Sequence, residues 1–284
     1  MTSRSLAASL GGALAALALA AVPAAHASQS FGTYGRFVDF STWTLLGSAG
    51  AFTFEPGNGF RYSTLTLTPT GQGDQAGAGW APQALALDFN QAFEASFSFF
   101  IAEGSVVRGD GIVLVLAAET GLGGGGSDLG YSGLGASVGF AIDTFSFEEE
   151  AESPSLQILQ DGSTVPLAAT ETGLDDDIRD PALQWVATLS YAPSGLGDDA
   201  GVLTGSIWRP DLGSFSVSAA VDFAAAGLAG APVYWGFTGA NGLADDGQFV
   251  TSAMPVPEPG SWALMAAGLG VLGTLARRRG VAPR

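Results

Sequence analysis

Residues 93–101 read FEASFSFFI and residues 108–116 read RGDGIVLVL. In the first stretch Phe93, Ala95, Phe97 and Phe99 alternate with Glu94, Ser96 and Ser98, the period-two pattern of a strand with one buried face. In the second, Ile112–Leu116 is apolar at every position and follows Gly111, as expected of a strand buried on both faces. Working outward, further strands are expected at 65–68, 138–144, 184–191, 201–208, 215–219 and 233–238. Turn signals at Pro56-Gly57-Asn58-Gly59, Asp161-Gly162 and Asn241-Gly242 separate them. A helical period is confined to the two termini, apart from one candidate turn at 223–228. Without a repeat or an internal linker, residues 28–252 read as one all-β domain, a sandwich of two antiparallel sheets. That length can bury a core without disulfides.

Composition removes whole classes of function. Charged residues make up 13% of the 284, about half the usual share, and there are 42 Gly. The formal charge is −17 and every basic residue is Arg. Losing Arg4, Arg277, Arg278, Arg279 and Arg284 with the ends leaves five Arg against about 27 acids, close to −22. Such a surface repels phosphate backbones, so nucleic acid is excluded as a partner. The chain has no Cys and one His, His26. Thiolate metal sites, Cys nucleophiles and mature His-dependent catalysis are excluded with them.

The ends read as addresses. Arg4, the apolar run 6–22 and Ala25-His26-Ala27 form a secretory signal with an A-x-A site, so residues 1–27 are assigned to a signal peptide removed by signal peptidase. In the tail, residues 253–284, Pro257-Glu258-Pro259 precede the apolar stretch 262–276 and the cluster Arg277-Arg278-Arg279. About 15 apolar residues barely cross a bilayer, and the Arg cluster holds the far end on the cytoplasmic side. This order resembles the PEP-CTERM sorting tail of Gram-negative bacteria. The resemblance implies transient insertion in the inner membrane, processing by an exosortase and export to the cell surface or extracellular polysaccharide matrix.

The acidic runs have modest readings. Asp175-Asp176-Asp177 and Asp198-Asp199 sit beside Gly, Pro and Ser and are expected as solvated loop tips. Glu148, Glu150 and Glu152 would share one side of a strand, as the acids of sandwich-fold glycosidases do. The run ends in Ser153-Pro154, so a charged loop is expected.

The segment from Phe93 to Ile158 resembles the L-type (legume-type) lectin domain, in which a D-G-[IL]-[AV]-F strand precedes a Gly-rich loop and an E-F-D-T strand. Flanking stretches agree in order: Leu65–Pro69, Gln75–Trp80, Trp185–Tyr191, Val221-Asp222-Phe223 and Val233–Thr238. The resemblance implies a concanavalin-like jelly-roll β-sandwich that binds carbohydrate. It matches Asp110 to the family's sugar-binding aspartate, which accepts hydrogen bonds from vicinal hydroxyls. It matches loop 123–128 to the region whose backbone N–H approaches the sugar, with Gly125 or Gly126 as donor. Asn241, Gly242 and Leu243 fall in the specificity loop. Tyr131 and Phe145 are candidate stacking platforms.

This chain departs from the family at the metals. Ala141, Asp143 and Phe147 stand where the family has Glu, Asp and Asn, and Glu152 and Gln157 stand near its last two ligands. The transition-metal site is lost, and Asp143 with Glu152 leaves at most two ligands for Ca²⁺. Apolar Ala141 and Phe147 are expected to brace the loop instead. No cofactor is therefore assigned, Ca²⁺ being the one candidate. No catalytic residue is assigned either, and the chain reads as a glycan- or exopolysaccharide-binding protein rather than an enzyme. The alternatives are an adhesive matrix protein with a degenerate sugar site and a glycan-cleaving enzyme.

Overall fold

The computed structural model describes residues 29–56, 60–181 and 183–255. The signal segment, the Gly57–Gly59 turn and the tail with Pro257, Glu258 and Pro259 lie outside the described residues. Strands dominate. In chain order they are β1 (Gln29–Gly32), β2 (Thr44–Gly47), β3 (Gly50–Phe54), β4 (Phe60–Thr68), β5 (Gln75–Trp80), β6 (Phe93–Ala102), β7 (Gly111–Ala117) and β8 (Ser137–Asp143). They continue as β9 (Ser155–Gln160), β10 (Ser163–Glu171), β11 (Trp185–Pro193), β12 (Ala200–Arg209), β13 (Gly213–Asp222), β14 (Tyr234–Asn241) and β15 (Gly247–Pro255).

Two sheets form a sandwich. One runs β13-β12-β11-β6-β15-β4-β3, and the other runs β10-β9-β8-β7-β14-β5-β2. All pairings are antiparallel except the short parallel contact of β1 with β6. β6 alternates as its sequence does, with Phe93, Ala95, Phe97, Phe99 and Ile101 buried between the sheets. β7 is buried along its whole length. Its Ile112, Leu114 and Leu116 enter the inter-sheet core, whereas Val113 and Val115 join a second cluster with Trp80, Leu129, Tyr131 and Ala141. That second cluster lies on the other face of the sheet, under the Gly-rich connection between β7 and β8.

Strands β1, β2, β3, β9, β10 and β15 lie outside the stretches expected from the sequence, and β5 was marked only by the resemblance. β15 lacks an alternation of apolar and polar residues, and β10 is an edge strand whose Val165 and Leu167 face solvent. Between β9 and β10, Asp161 at φ 56° and Gly162 at φ 66° make the two-residue left-handed turn that Asp-Gly favours in hairpins. The Glu148–Glu152 run is an exposed turn region outside any strand, as expected. Asp175–Asp177 are exposed, but they open a turn of 3-10 helix, Asp175–Arg179, whose last two residues are buried. They are therefore the outer surface of an anchored element, not a free loop tip.

The outward face of the first sheet is hydroxyl-rich. Cross-strand register aligns Ser216, Ser206, Thr188 and Ser96 in one row over β13, β12, β11 and β6. A second row joins Trp208 through Val186, Ser98, Thr251 and Thr64 to Phe52 on the edge strand β3.

Candidate functional site

Asp110 stands immediately before β7. Its N–H donates to the Ala240 carbonyl at 2.9 Å and its own carbonyl accepts from the Thr144 N–H at 2.7 Å. Flanking glycines are required by close approach. A Cβ at Gly109 would lie 2.5 Å from the Ala244 Cβ, and one at Gly111, φ 151°, would lie 2.4 Å from the Ile142 carbonyl oxygen. Gly-Asp-Gly is thus what lets the chain pass between β8 and the loop after β14 while presenting one carboxylate.

Two loops meet over that carboxylate. A Cβ at Gly126 would sit 3.4 Å from the Asp110 Oδ2, and one at Gly242 would sit 3.5 Å from the same atom. The two tips also touch, since the Gly242 position would come within 3.6 Å of the Gly126 Cα. Asp110 Oδ2 is buried and has no hydrogen-bond partner. Leaving a buried acceptor unpaired costs about 1–3 kcal/mol, so the site holds an unmet demand for a hydroxyl or N–H donor. The fold therefore brings Asp110, Gly126 and the 241–243 loop together. Gly125 is exposed one residue away, and Leu243 projects from the loop tip at 99% exposure.

Asn241 faces inward instead. Its Nδ2 donates to the Gln72 and Asp246 carbonyls, and its Oδ1 accepts from the Gln75 N–H at 2.9 Å. A side chain that ties three segments together holds the loop from beneath and is turned away from any ligand.

The deeper support comes from residues that the sequence did not flag. Asp246, fully buried, accepts from the Gly104 N–H at 3.0 Å, the Gly109 N–H at 3.3 Å and Arg179 Nη1 at 3.3 Å. Gln248 Nε2 donates to the Gly109 and Ala240 carbonyls, at 3.2 and 2.7 Å. Both residues thus grip the chain one step before Asp110. At Asp246 burial outweighs the pairing and raises the carboxyl above its usual range; at Arg179 the pairing outweighs burial and raises the guanidinium. The sequence signal was an acid and an amide, Asp246 and Gln248, just ahead of the apolar pair Phe249-Val250.

The metal positions do not converge. Asp143 is buried, its Oδ2 taken by Gln157 Nε2 at 2.7 Å and its Oδ1 by the Phe145 N–H at 3.0 Å. It lines a cavity of about 240 Å³ with Glu149, Glu150 and Gln157, whereas Glu152 is exposed and lines a different cavity beside Arg108. Among the described residues no group of three or more His, Cys, Asp or Glu side chains is placed to hold a metal ion. The residues present do not fit a Ca²⁺ site formed by Asp143 and Glu152. The expected apolar brace also differs: Ala141 is buried in the second cluster, but Phe147 is 58% exposed and packs on Phe145. Polar bonds from Gln157, Asp246 and Gln248 do the bracing. Tyr131 is buried, donates nothing to the site and meets Ser137 and Gly162 through its hydroxyl. Of the two candidate platforms only Phe145 stays partly exposed.

Two carboxyls here titrate high. Burial pushes Asp110 to about 6, with the Asp246 charge adding and the Gly242 N–H opposing. Burial pushes Asp143 to about 7, with Glu150 and Asp110 adding and Phe145 and Gln157 opposing. An acid raised on folding keeps its proton in the folded chain where the unfolded chain has lost it. Its contribution is full below pH about 3.8 and is lost as pH rises through about 6 and 7. Melting temperature is therefore expected to fall between pH 4.5 and 7.5, with a shallower fall in Asp143→Asn. Thermal melts across that range check this; equal slopes in both proteins would refute it.

Known proteins place the fold and the tail. Residues 255–279 match the PEP-CTERM protein-sorting motif. A lectin from Bauhinia forficata, solved with GalNAc, superposes with a TM-score of 0.60 at 24% identity, covering 79% of this chain and 97% of that one. Lectin I-B4 from Griffonia simplicifolia, in a metal-free form, gives 0.58 at 20% identity over 78% and 97%. The acidic lectin of winged bean, with methyl-alpha-D-galactose, gives 0.58 at 17% identity over 77% and 96%. No curated protein matches the sequence. The chain thus has the legume-lectin jelly-roll fold and carries a PEP-CTERM sorting motif. Among the described residues no helix is long and apolar enough to cross a membrane.

Proposed function

We propose that this chain is an exported, lectin-like protein that binds glycan at the Asp110 site, on the cell surface or in an extracellular polysaccharide matrix. The observation that carries the reading is the orphaned Asp110 Oδ2 at the meeting point of loops 123–128 and 241–245. A sugar hydroxyl donates to such an oxygen in a charge-assisted bond, and bare glycine tips leave room for a ring once they part. Gly126 N–H and the apolar Leu243 tip are the further contacts. Since the superposed lectins include ones solved with GalNAc and a galactoside, galactose-type glycans are the first class to test. The reading is of binding, without catalysis. A glycan array probed with the full chain, with and without EDTA, tests it: retention of a defined sugar class that EDTA leaves unchanged supports it, and an empty array refutes it.

An adhesive matrix protein with a closed sugar site is the second reading, favoured by the enclosure of Oδ2. The same array separates the two. For export, signal peptidase removes residues 1–27, and an exosortase acts on the tail containing Pro257, Glu258 and Pro259 after its transient insertion in the inner membrane. Intact mass of the secreted product is expected to lack both ends. A mass that retains Arg277–Arg279 identifies a permanently anchored protein.

A further inference from the structure

The outward face of the eight-stranded sheet is unlike the rest of this acidic surface. On β6, β11, β12 and β13 its only ionisable side chains are Glu94 and Asp222, in a chain of net charge −17. Hydroxyls fill most of the remaining positions, and neighbours are bonded across strands: Ser96 to Thr188 at 3.0 Å and Thr204 to Ser218 at 2.8 Å. Each such oxygen keeps lone-pair capacity toward solvent. Large exposed rings stand on this sheet. Trp208 is 46% exposed on β12, and Phe52, stacked 6.3 Å from Phe54, is 60% exposed on the edge strand β3. Five strand spacings of about 4.8 Å separate them, roughly 24 Å, and between them Thr251 and Thr64 are buried.

We propose that this face docks a neutral polysaccharide chain lying across β6, β11, β12 and β13 against Trp208, independently of Asp110. Rings stack on the C–H faces of sugars, and the hydroxyl rows exchange hydrogen bonds with sugar hydroxyls. The scarcity of charge decides the ligand class. A polyanion finds no cation on the outward face of these four strands, Arg209 of β12 being buried over Trp185, while a neutral polymer loses no ion hydration from them. Composition decides against a second copy of this chain, because protein interfaces are depleted in Ser and enriched in Tyr, Met and Arg. Size agrees. Four strands at about 4.8 Å with four outward positions about 6.8 Å apart give about 500 Å², below the roughly 800 Å² per partner of a stable protein complex.

Native gels cast with the galactose-free neutral glucans dextran or pullulan, or with the polyanion polygalacturonate, test this on the full chain. A neutral polysaccharide is expected to retard the protein and polygalacturonate is not. Trp208→Ala should weaken retardation roughly tenfold, the loss of one large ring contact. Ser206→Glu should abolish it. Ser216→Glu at an exposed position replaces any variant whose melting curve shows misfolding. The proposal fails if neither neutral polysaccharide retards the protein, or if the face variants bind like the parent. It fails equally if Asp110→Asn alone removes the effect, which would assign all binding to the Asp110 site. A fall from dimer to monomer mass in the face variants would also overturn it and make the face a self-interface.

Discussion

Asp246→Ala is expected to lower the stability of the domain by about 3–5 kcal/mol, because it leaves Arg179 buried without its deepest counter-charge. The two Gly N–H groups at positions 104 and 109 lose their acceptor at the same stroke. For a domain of this size the melting temperature should drop by about 6–20 °C. Arg179 keeps Asp176 at 2.7 Å and the Ser105 carbonyl at 2.8 Å, so part of its charge remains compensated from the surface side. Removing both partners, in Arg179→Met with Asp246→Leu, should recover much of the loss, since a well-packed apolar pair needs no counter-ion. Thermal unfolding of the three variants checks this; a single variant melting within about 2 °C of the parent would refute it.

Asp110→Ala should act in the opposite way, on binding and not on folding. Losing a charge-assisted bond to a ligand costs about 1.5–3 kcal/mol, or roughly 10- to 150-fold in glycan affinity. At pH 7.5 the variant should melt at or above the parent temperature. It discards a buried carboxylate that has one oxygen unpaired and that folding holds back from ionising. Titration with whichever glycan the array returns, together with melting curves, measures both. Unchanged affinity would move the site elsewhere, and a drop of more than about 5 °C would make Asp110 a structural residue.

Local pattern made β6 and β7 readable, because each strand's burial repeats its own residue pattern, alternating in β6 and continuous in β7. The three stretches Gly-Asp-Gly, Gly-Gly-Gly-Gly-Ser-Asp and Asn-Gly-Leu were legible as loops, and the lectin resemblance assigned them to one site. What escaped was the layer beneath. Arg179 and Asp246 are 67 residues apart, and nothing local at either marks the other. Arg179 was hidden behind three aspartates that look like a solvated tip. Asn241 was misread for a related reason: a loop position implies exposure, yet its amide satisfies backbone groups of two other segments. Phe147 stands where a ligand position maps, but its side chain turns to solvent.

β15 occupies an interior place in its sheet, hydrogen-bonded to β6 on one side and β4 on the other. Among the described strands it is also the last to be synthesised and, on the proposed export route, the last to be delivered. Until it arrives, the sheet is two fragments, β13-β12-β11-β6 and β4-β3, whose facing edges expose unpaired N–H and C=O groups. Exposed edges of that kind recruit strands from other chains. The sorting match begins at Pro255, the residue that ends β15, so on the proposed export route tethering by the tail and sheet closure fall at adjacent points. A chain held at the membrane by its tail completes its sheet where few other copies can reach the open edges. On that route vectorial delivery shields the slow, long-range pairing that this topology imposes.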